Sequence, residues 1–540
     1  MLAGLIAAPV ATVIAASFVS GDDIWAHLVA TVLPGYVANT LGLIILVGAG
    51  VLVIGVATAW LVTMCRFPGA SMFEWLLLLP LALPAYIIAF TYTEVLEYAG
   101  PVQGALRAAF GWSTARDYWF PEIRSLGGAA AMMTLVLYPY VYLLARAAFL
   151  QQSGLALEVS RVLGRGPVRA FWSVALPLAR PAIVIGLALA LMEVLGDFGT
   201  VQFFAVNTFT TGIYRVWLEL DNLPGAAQLS SLLLLFVTTM ILLEAWSRRA
   251  RRHHDVHAGH GRLRPFRLTG GRRNLAVLAC TLPVLLGFVL PFAILVYNAV
   301  RTAGHTLSVS LVRDIANSVM LAGVTAVLAV GLGLVMAYGQ RQSGTPVLRA
   351  ANRLASLGYA VPGSVIAVGV LFPFGWLDNT VDAFMRATFG ISTGLLLSGT
   401  IAAVVFAYLV RFLALSYGAV DAGLSKITPH MDGAARTLGE RPAGVLRRVH
   451  VPMIRGSLLT AGILVFVDVM KELPATLILR PFNFNTLATR AYEYAVDEQF
   501  EESALWAVGI VLAGVVPVIL LSRAIRSAVT DGDEPPVVRT

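Results

Sequence analysis

Leu157–Arg180 reads LEVSRVLGRGPVRAFWSVALPLAR, and 275 residues later Asp432–Arg455 reads DGAARTLGERPAGVLRRVHVPMIR. Arg161-x-x-Gly164 falls on Arg436-x-x-Gly439, Pro167 on Pro442, Pro177 on Pro452 and Arg180 on Arg455. The interval from the glycine to the later proline is 13 residues in both (164 to 177, 439 to 452). Carried forward without a gap, the same offset places Glu193 on Asp468, Asp197 on Glu472, Phe209 on Phe484, Thr211 on Thr486 and Arg215 on Arg490. A period near half of 540 residues means one unit written twice, and such self-similarity governs the fold before any local feature does.

With 58% hydrophobic and 13% charged residues and a mean hydropathy of +0.80, the chain has too little polar surface to cover a soluble globule. It belongs in a bilayer. Apolar runs of roughly 20 residues, the length that spans a membrane as a helix, lie at about 1–18, 36–63, 73–98, 127–150, 180–204 and 227–247. Six more lie at about 275–299, 315–340, 350–375, 392–415, 455–479 and 505–525. Residues 1–18 lack a positive leader and a small-residue cleavage site, so they read as a retained span. The expected fold is an all-α membrane protein with twelve transmembrane helices in two parallel six-helix repeats. Residues 1–247 form the first half, 248–273 a basic cytoplasmic linker with nine arginines, and 274–540 the second half. The longest polar segments, 151–178 and 416–452, precede the fifth span of each half.

The net charge of +8 suggests nucleic acid only until its distribution is followed. With the amino terminus inside, 26 of the 38 Lys and Arg fall in loops on one face and nine on the other, as the positive-inside rule requires. Both termini are then cytoplasmic, and an odd number of spans would destroy the alternation. No nucleic acid is implied, and the arginines of the linker suit anionic lipid. Cys65 and Cys280 fall in or near spans of different halves, which implies neither a disulfide framework nor a thiolate metal site.

In each copy the polar segment reads as helix, glycine break, helix. Thr428 offers an N-cap and Pro429 a first-turn proline, Gly164 and Gly439 tolerate a left-handed backbone, and Pro167 and Pro442 restart the chain. One such helix alone would read as an amphipathic connector resting on headgroups. Two at matched spacing suit a partner with two related clefts.

These segments resemble the cytoplasmic signature of ABC importer permeases: Glu-Ala-Ala, three residues, Gly, and later a hydrophobic residue and Pro. Val159-Ser160 replace the alanines in the first copy, and in the second Gly433 stands where the Glu is expected, with Asp432 beside it. The resemblance implies a type I ABC importer permease fold. It also implies that Glu158, Arg161, Gly164 and Pro167, with Asp432, Arg436, Gly439 and Pro442, couple to two ATP-binding subunits. A periplasmic or extracellular substrate-binding protein would deliver the cargo at a bacterial inner membrane.

Glu193-Val-Leu-Gly-Asp197, Thr208-Phe-Thr-Thr-Gly-Ile-Tyr-Arg215 and Lys471-Glu472-Leu-Pro-Ala-Thr476 are similar to the ferric-iron permeases of that family. Thiamine, a phosphonate or another small solute remains open as cargo, because fused permeases for those share the architecture. A gradient-driven secondary transporter is the alternative of a different class. The chain has two lysines, Lys426 and Lys471, and neither sits in a Gly-x-x-x-x-Gly-Lys-Ser/Thr loop. ATP and Mg therefore belong to partner subunits; the chain itself is no enzyme and binds no cofactor.

Ionisable residues inside spans are function candidates by default. Glu193, Asp197, Asp468 and Glu472, with Lys471, are placed on the translocation pathway, where carboxylate oxygens suit a hard trivalent cation. The competing reading is that Lys471, Arg146 and Arg411 neutralise these acids and lock helices together. No metal site is assigned. Gly196, Gly199 and Pro474 interrupt the same helices. Tyr138, Tyr140 and Tyr142 offer oxygen donors but read first as interfacial anchors; His253, His254, His257 and His260 offer divalent-metal ligands but read first as part of a solvated linker; and Glu493, Asp497, Glu498, Glu501 and Glu502 read as an exposed acidic face, in a loop that the resemblance makes a candidate to receive the substrate-binding protein.

Overall fold

Proline decides where the helices of this chain break. The computed structural model describes residues 2–18, 24–151, 167–249 and 266–530. The residue before a proline is disfavoured in the α region, and Leu83 and Val361, before Pro84 and Pro362, are extended (ψ 119° and 127°). Each break separates a short helix and a 3₁₀ turn, Ala70–Leu76 with Leu79–Ala82 or the amphipathic Pro346–Ser356 with Leu357–Ala360, from an apolar helix, Ala85–Leu96 or Gly363–Phe389. In the first copy the two arms meet at 89°. The span expected at 350–375 therefore lies at Gly363–Phe389, because the polar face of Pro346–Ser356, with Arg349 and Arg353, belongs outside the apolar run. Its successor, expected from 392, begins at Ile401, since Gly390, Gly394 and Gly399 take positive φ in the intervening loop.

Three helices carry a single π-turn: Phe171–Ala175, Leu285–Val289 and Leu446–His450. Each ends two residues before a proline, Pro177, Pro291 or Pro452. A helical proline donates no N–H and its ring crowds the preceding turn. The widened turn relieves that crowding, with the N–H of Leu176, Leu290 and Val451 donating to the fifth carbonyl back. The fifth spans, expected as 180–204 and 455–479, break as Gly196, Gly199 and Pro474 suggest: Leu176–Gly196 is followed by Gly199–Phe203, and Arg455–Met470 by Pro474–Leu479.

Among the described residues nine helices are long and apolar enough to cross a bilayer, and two bent pairs bring the number to eleven. The shorter apolar helix Leu2–Ala16 falls on the first expected span, at about 1–18. The only strands among them are Cys65–Arg66 and Phe266–Arg267, paired in parallel. The fold is all-α and twice repeated.

The compact units interleave the two sequence copies. Unit 1 comprises residues 1–34, 209–235 and 305–493. Its centre is the helix Val309–Ser343 packed on Ile401–Ser425 and Arg455–Met470, with Ala337, Val420, Leu424, Ile427, Ile454 and Ala461 in one buried cluster. The Leu2–Ala16 helix packs on Gly363–Phe389 so closely that a Cβ at Gly369 would lie 2.2 Å from the Pro9 carbonyl, and Thr12 Oγ1 donates to the Gly369 carbonyl at 2.8 Å. Unit 2 comprises residues 35–208, 236–304 and 494–540. Leu126–Gln151 packs there on Leu176–Gly196, with Gly186 against the Tyr140 backbone, and Tyr92 donates to the Leu286 carbonyl at 2.7 Å.

Two matched hydrogen bonds correct the repeat register. Asn39 Nδ2 donates to the Asn207 carbonyl at 2.8 Å, and Asn317 Nδ2 to the Asn485 carbonyl at 2.9 Å. The spacing is 278 residues (39 to 317, 207 to 485), and it also relates the helices Phe209–Leu218 and Leu487–Val496. The offset of 275 therefore ends at the broken helices, where three residues are inserted before Asn485. Thr208 and Thr211 correspond to Thr486 and Thr489, and Arg215 to Glu493 rather than to Arg490.

Candidate functional site

The second polar segment forms as its residues dictate. Pro429 opens the helix Pro429–Thr437 behind Thr428, whose side chain makes no cap bond. Gly439 closes it at φ +86°, the left-handed C-terminal position that glycine takes without steric cost, and the Gly439 and Glu440 amides donate to the Arg436 and Ala435 carbonyls. Pro442 starts the next helix, Pro442–Met453, which meets Arg455–Met470 at 77°. At the turn, Leu438 is 85% exposed. Of the first copy, Glu158, Arg161 and Gly164 lie outside the described residues, and Pro167 opens a helix that runs on through Gly196.

Asp432 does not face solvent as a docking charge would. Its Oδ2 accepts from Arg341 Nε at 2.9 Å and its Oδ1 lies 2.6 Å from Nε2 of the fully buried His450. Burial raises the Asp432 pKa, but the Arg341 and His450 bonds outweigh it and hold the carboxyl below its usual range. Arg341 donates further to the carbonyls of Leu424 (2.7 Å) and Ile427 (2.9 Å). Tyr338 donates to the Pro442 carbonyl at 2.6 Å, and its ring meets that of His450 edge-on at 5.5 Å. Arg436 bonds Gln342, and Arg448 bonds Glu440. The whole segment is thus tied to the Ser343 end of one long helix.

The first copy uses different chemistry at the matching place. Trp60, which corresponds to Tyr338 at the 278-residue spacing, lies 5.6 Å from Phe149, 5.1 Å from Phe171 and 6.3 Å from Phe266, ring centre to ring centre. Phe266 belongs to the returning end of the linker, held by the strand pair with Cys65–Arg66 and by the Leu268 amide on the Arg66 carbonyl (3.1 Å). Such aromatic contacts each contribute about 0.5–1.5 kcal/mol beyond area burial.

The intramembrane acids divide into two kinds. Asp197 accepts from the Thr200 amide (3.0 Å), the Thr200 hydroxyl (2.9 Å) and the Val201 amide (3.2 Å), capping Gly199–Phe203. Glu472 accepts from the amides of Ala475 and Thr476 (both 3.2 Å) and the Thr476 hydroxyl (2.9 Å), capping Pro474–Leu479. Broken helices expose amides with no intrahelical partner, and a carboxylate there satisfies them and favours the dipole. Glu472 is 4% exposed and also pairs with Arg411 at 2.9 Å. Glu193 and Asp468 lie about one turn earlier on their helices and are only partly buried, with Lys471 at 2.9 Å from Asp468. Arg146 pairs elsewhere, with Glu74 at 2.8 Å.

Other sequence expectations are redistributed. Tyr138 and Tyr142 are fully buried, not interfacial, and Tyr142 donates to the Glu74 carbonyl at 3.0 Å. Three of the five acids expected as an exposed face are paired: Glu493 with Arg480 and Arg490, Glu498 with Arg124, and Glu501 with Arg301. The linker histidines lie outside the described residues. Among the described residues no three His, Cys, Asp or Glu gather so as to hold a metal ion.

Sequence reasoning missed Arg341, Tyr338 and His450. A signal was present in the comparison of the copies: Asp432 and His450 stand where the first copy has Leu157 and Ala175, two polar side chains replacing apolar ones within one segment.

Residues 51–252 and 329–530 each match the family model described as the binding-protein-dependent transport system inner membrane component. The chain is 26% identical to an Fe(3+)-transport system permease protein of Haemophilus influenzae, over 90% of this chain and 89% of the relative. A ferric transport system permease protein of Actinobacillus pleuropneumoniae is 23% identical over 95% of this chain and 75% of its own. A molybdenum transport system permease protein of Escherichia coli is 29% identical over 37% of this chain and 86% of its own.

Proposed function

The chain belongs to the family of inner-membrane components of binding-protein-dependent transport systems, and from that membership we propose that it is the fused permease of an ATP-driven importer that moves ferric iron inward. The cargo reading rests on relatives that match both halves and are named for ferric transport. We read residues 1–247 and 274–540 as the two permease halves, joined through 248–273 on the cytoplasmic side, where both termini also lie. Two ATP-binding subunits dock from that side and supply ATP and Mg. A substrate-binding protein delivers cargo from the other side.

The observation that carries the coupling role is the Pro429–Gly439 segment: a short helix ending in a left-handed glycine, with Leu438 presented to solvent beside it. An exposed apolar side chain at the tip of a rigid element is what a cleft on a partner can seat. Asp432 serves this lever from within, while Arg436, Gly439 and Pro442 shape it; Glu158, Arg161, Gly164 and Pro167 form its counterpart. ATP-driven closure of the partners then shifts both levers and changes which face the pathway opens to.

On the pathway, Asp197 and Glu472 brace the broken helices, whereas Glu193, Asp468 and Lys471 carry the charge that cargo meets. The carboxylates guide an ion past rather than cage it. The test is ferric-iron uptake by vesicles holding this chain, its ATP-binding subunits and its binding protein. Uptake abolished by vanadate and indifferent to an uncoupler supports the reading. Uptake abolished by the uncoupler with vanadate inert assigns the chain to gradient-driven transport instead.

A further inference from the structure

Arg341 sits in the last turn of Val309–Ser343 and joins three segments with one guanidinium. Its Nε reaches Asp432 in the Pro429–Thr437 helix, and its two terminal nitrogens reach the carbonyls of Leu424 and Ile427, at the end of Ile401–Ser425. The Leu424 carbonyl also accepts from the Ile427 amide at 3.1 Å, so the guanidinium joins the closing turn of that helix, where a cation is favoured by the helix dipole. Leu424 and Ile427 belong to the buried cluster at the centre of unit 1. The Arg341 and Asp432 side chains are 16% and 17% exposed, so the pair is little screened. One turn earlier, Tyr338 holds the Pro442 carbonyl, and His450 fills the space between the Tyr338 ring and Asp432.

We propose that Arg341 is the positioning residue that converts movement of the Pro429–Thr437 lever into movement of the membrane-spanning bundle of unit 1, with Asp432 as its partner. The inference rests on the permease reading and adds a residue that the signature does not contain. A lever fixed by one flexible contact would swing without moving its bundle. A planar fork that binds the lever and the end of a second helix together leaves it little freedom to do so. At the positions that correspond to Arg341 and Asp432 the first copy has Thr63 and Leu157, which cannot form this ion pair.

The test uses the complete complex in proteoliposomes, with ferric iron supplied on the binding protein and phosphate release measured in the same vesicles. Arg341→Ala is expected to lower iron moved per ATP by tenfold or more. Arg341→Lys, which keeps the charge but loses the fork, should fall between it and the parent. Asp432→Asn, nearly isosteric, should lower the ratio at least threefold and decides the matter should Arg341→Ala fail to assemble. An unchanged ratio in an assembled variant, with uptake and hydrolysis falling together or not at all, overturns the positioning role and leaves the permease reading standing. A parent complex that hydrolyses no ATP overturns both.

Discussion

Asp197 and Glu472, 275 residues apart, perform the same act: each carboxylate receives the free amides of the short helix that resumes after a break in the fifth span. Glu472 is in addition paired with Arg411 and almost wholly buried. Unpairing a buried charge costs about 3–5 kcal/mol, whereas loss of a helix cap costs about 1 kcal/mol. Glu472→Ala should therefore lower the thermal midpoint in detergent far more than Asp197→Ala. Adding Arg411→Met to Glu472→Ala should recover most of the loss, which a double-mutant cycle measures.

The acids one turn earlier should behave in the opposite way. Glu193→Gln and Asp468→Asn are expected to leave the thermal midpoint within a degree or two while lowering ferric uptake severalfold. Equal uptake in both variants at saturating binding protein would remove Glu193 and Asp468 from the pathway.

Leu438 and Gly439 make a separable pair of predictions. Leu438→Asp alters a side chain already in solvent, so stability should stay within about 0.5 kcal/mol while co-purification with the ATP-binding subunits is lost. Gly439→Val forces a β-branched residue to φ +86° and should cost about 1–2 kcal/mol as well as weakening the complex. Pull-down yield and thermal midpoint, taken together, distinguish the two.

Asp432 gives the protein a defined acid response. Its carboxyl is held below the ordinary aspartate value, so the stability it contributes is complete above that value, about pH 3.9, and is lost as pH falls through the lower value of the folded state. The difference in thermal midpoint between the parent and Asp432→Asn should thus be constant from pH 7 to pH 5 and shrink only below about pH 4. A difference that shrinks between pH 7 and pH 5 would contradict the Arg341 clamp.

Much of this was legible in the residues. Gly164, Gly439 and the matched prolines announce two copies of one segment, and Gly439 does adopt the left-handed backbone its position requires. Periodicity, however, reports apolar length and not chain direction, so the bends at Pro84 and Pro362 appeared as continuous spans. An offset read from single residues also cannot see an insertion that the paired Asn39 and Asn317 bonds make plain. The Arg341 clamp was hidden for another reason. It joins residues 91 positions apart, and a basic residue at the end of a span is already explained by the positive-inside rule.

The central claim is that duplication equips a single chain with two levers for two motors. Native mass spectrometry of the complex purified through this chain tests it most directly. One permease chain with two ATP-binding subunits, reduced to one or none by Leu438→Asp, is the predicted result. A parent complex with a single ATP-binding subunit, or one whose composition Leu438→Asp leaves intact, would contradict it.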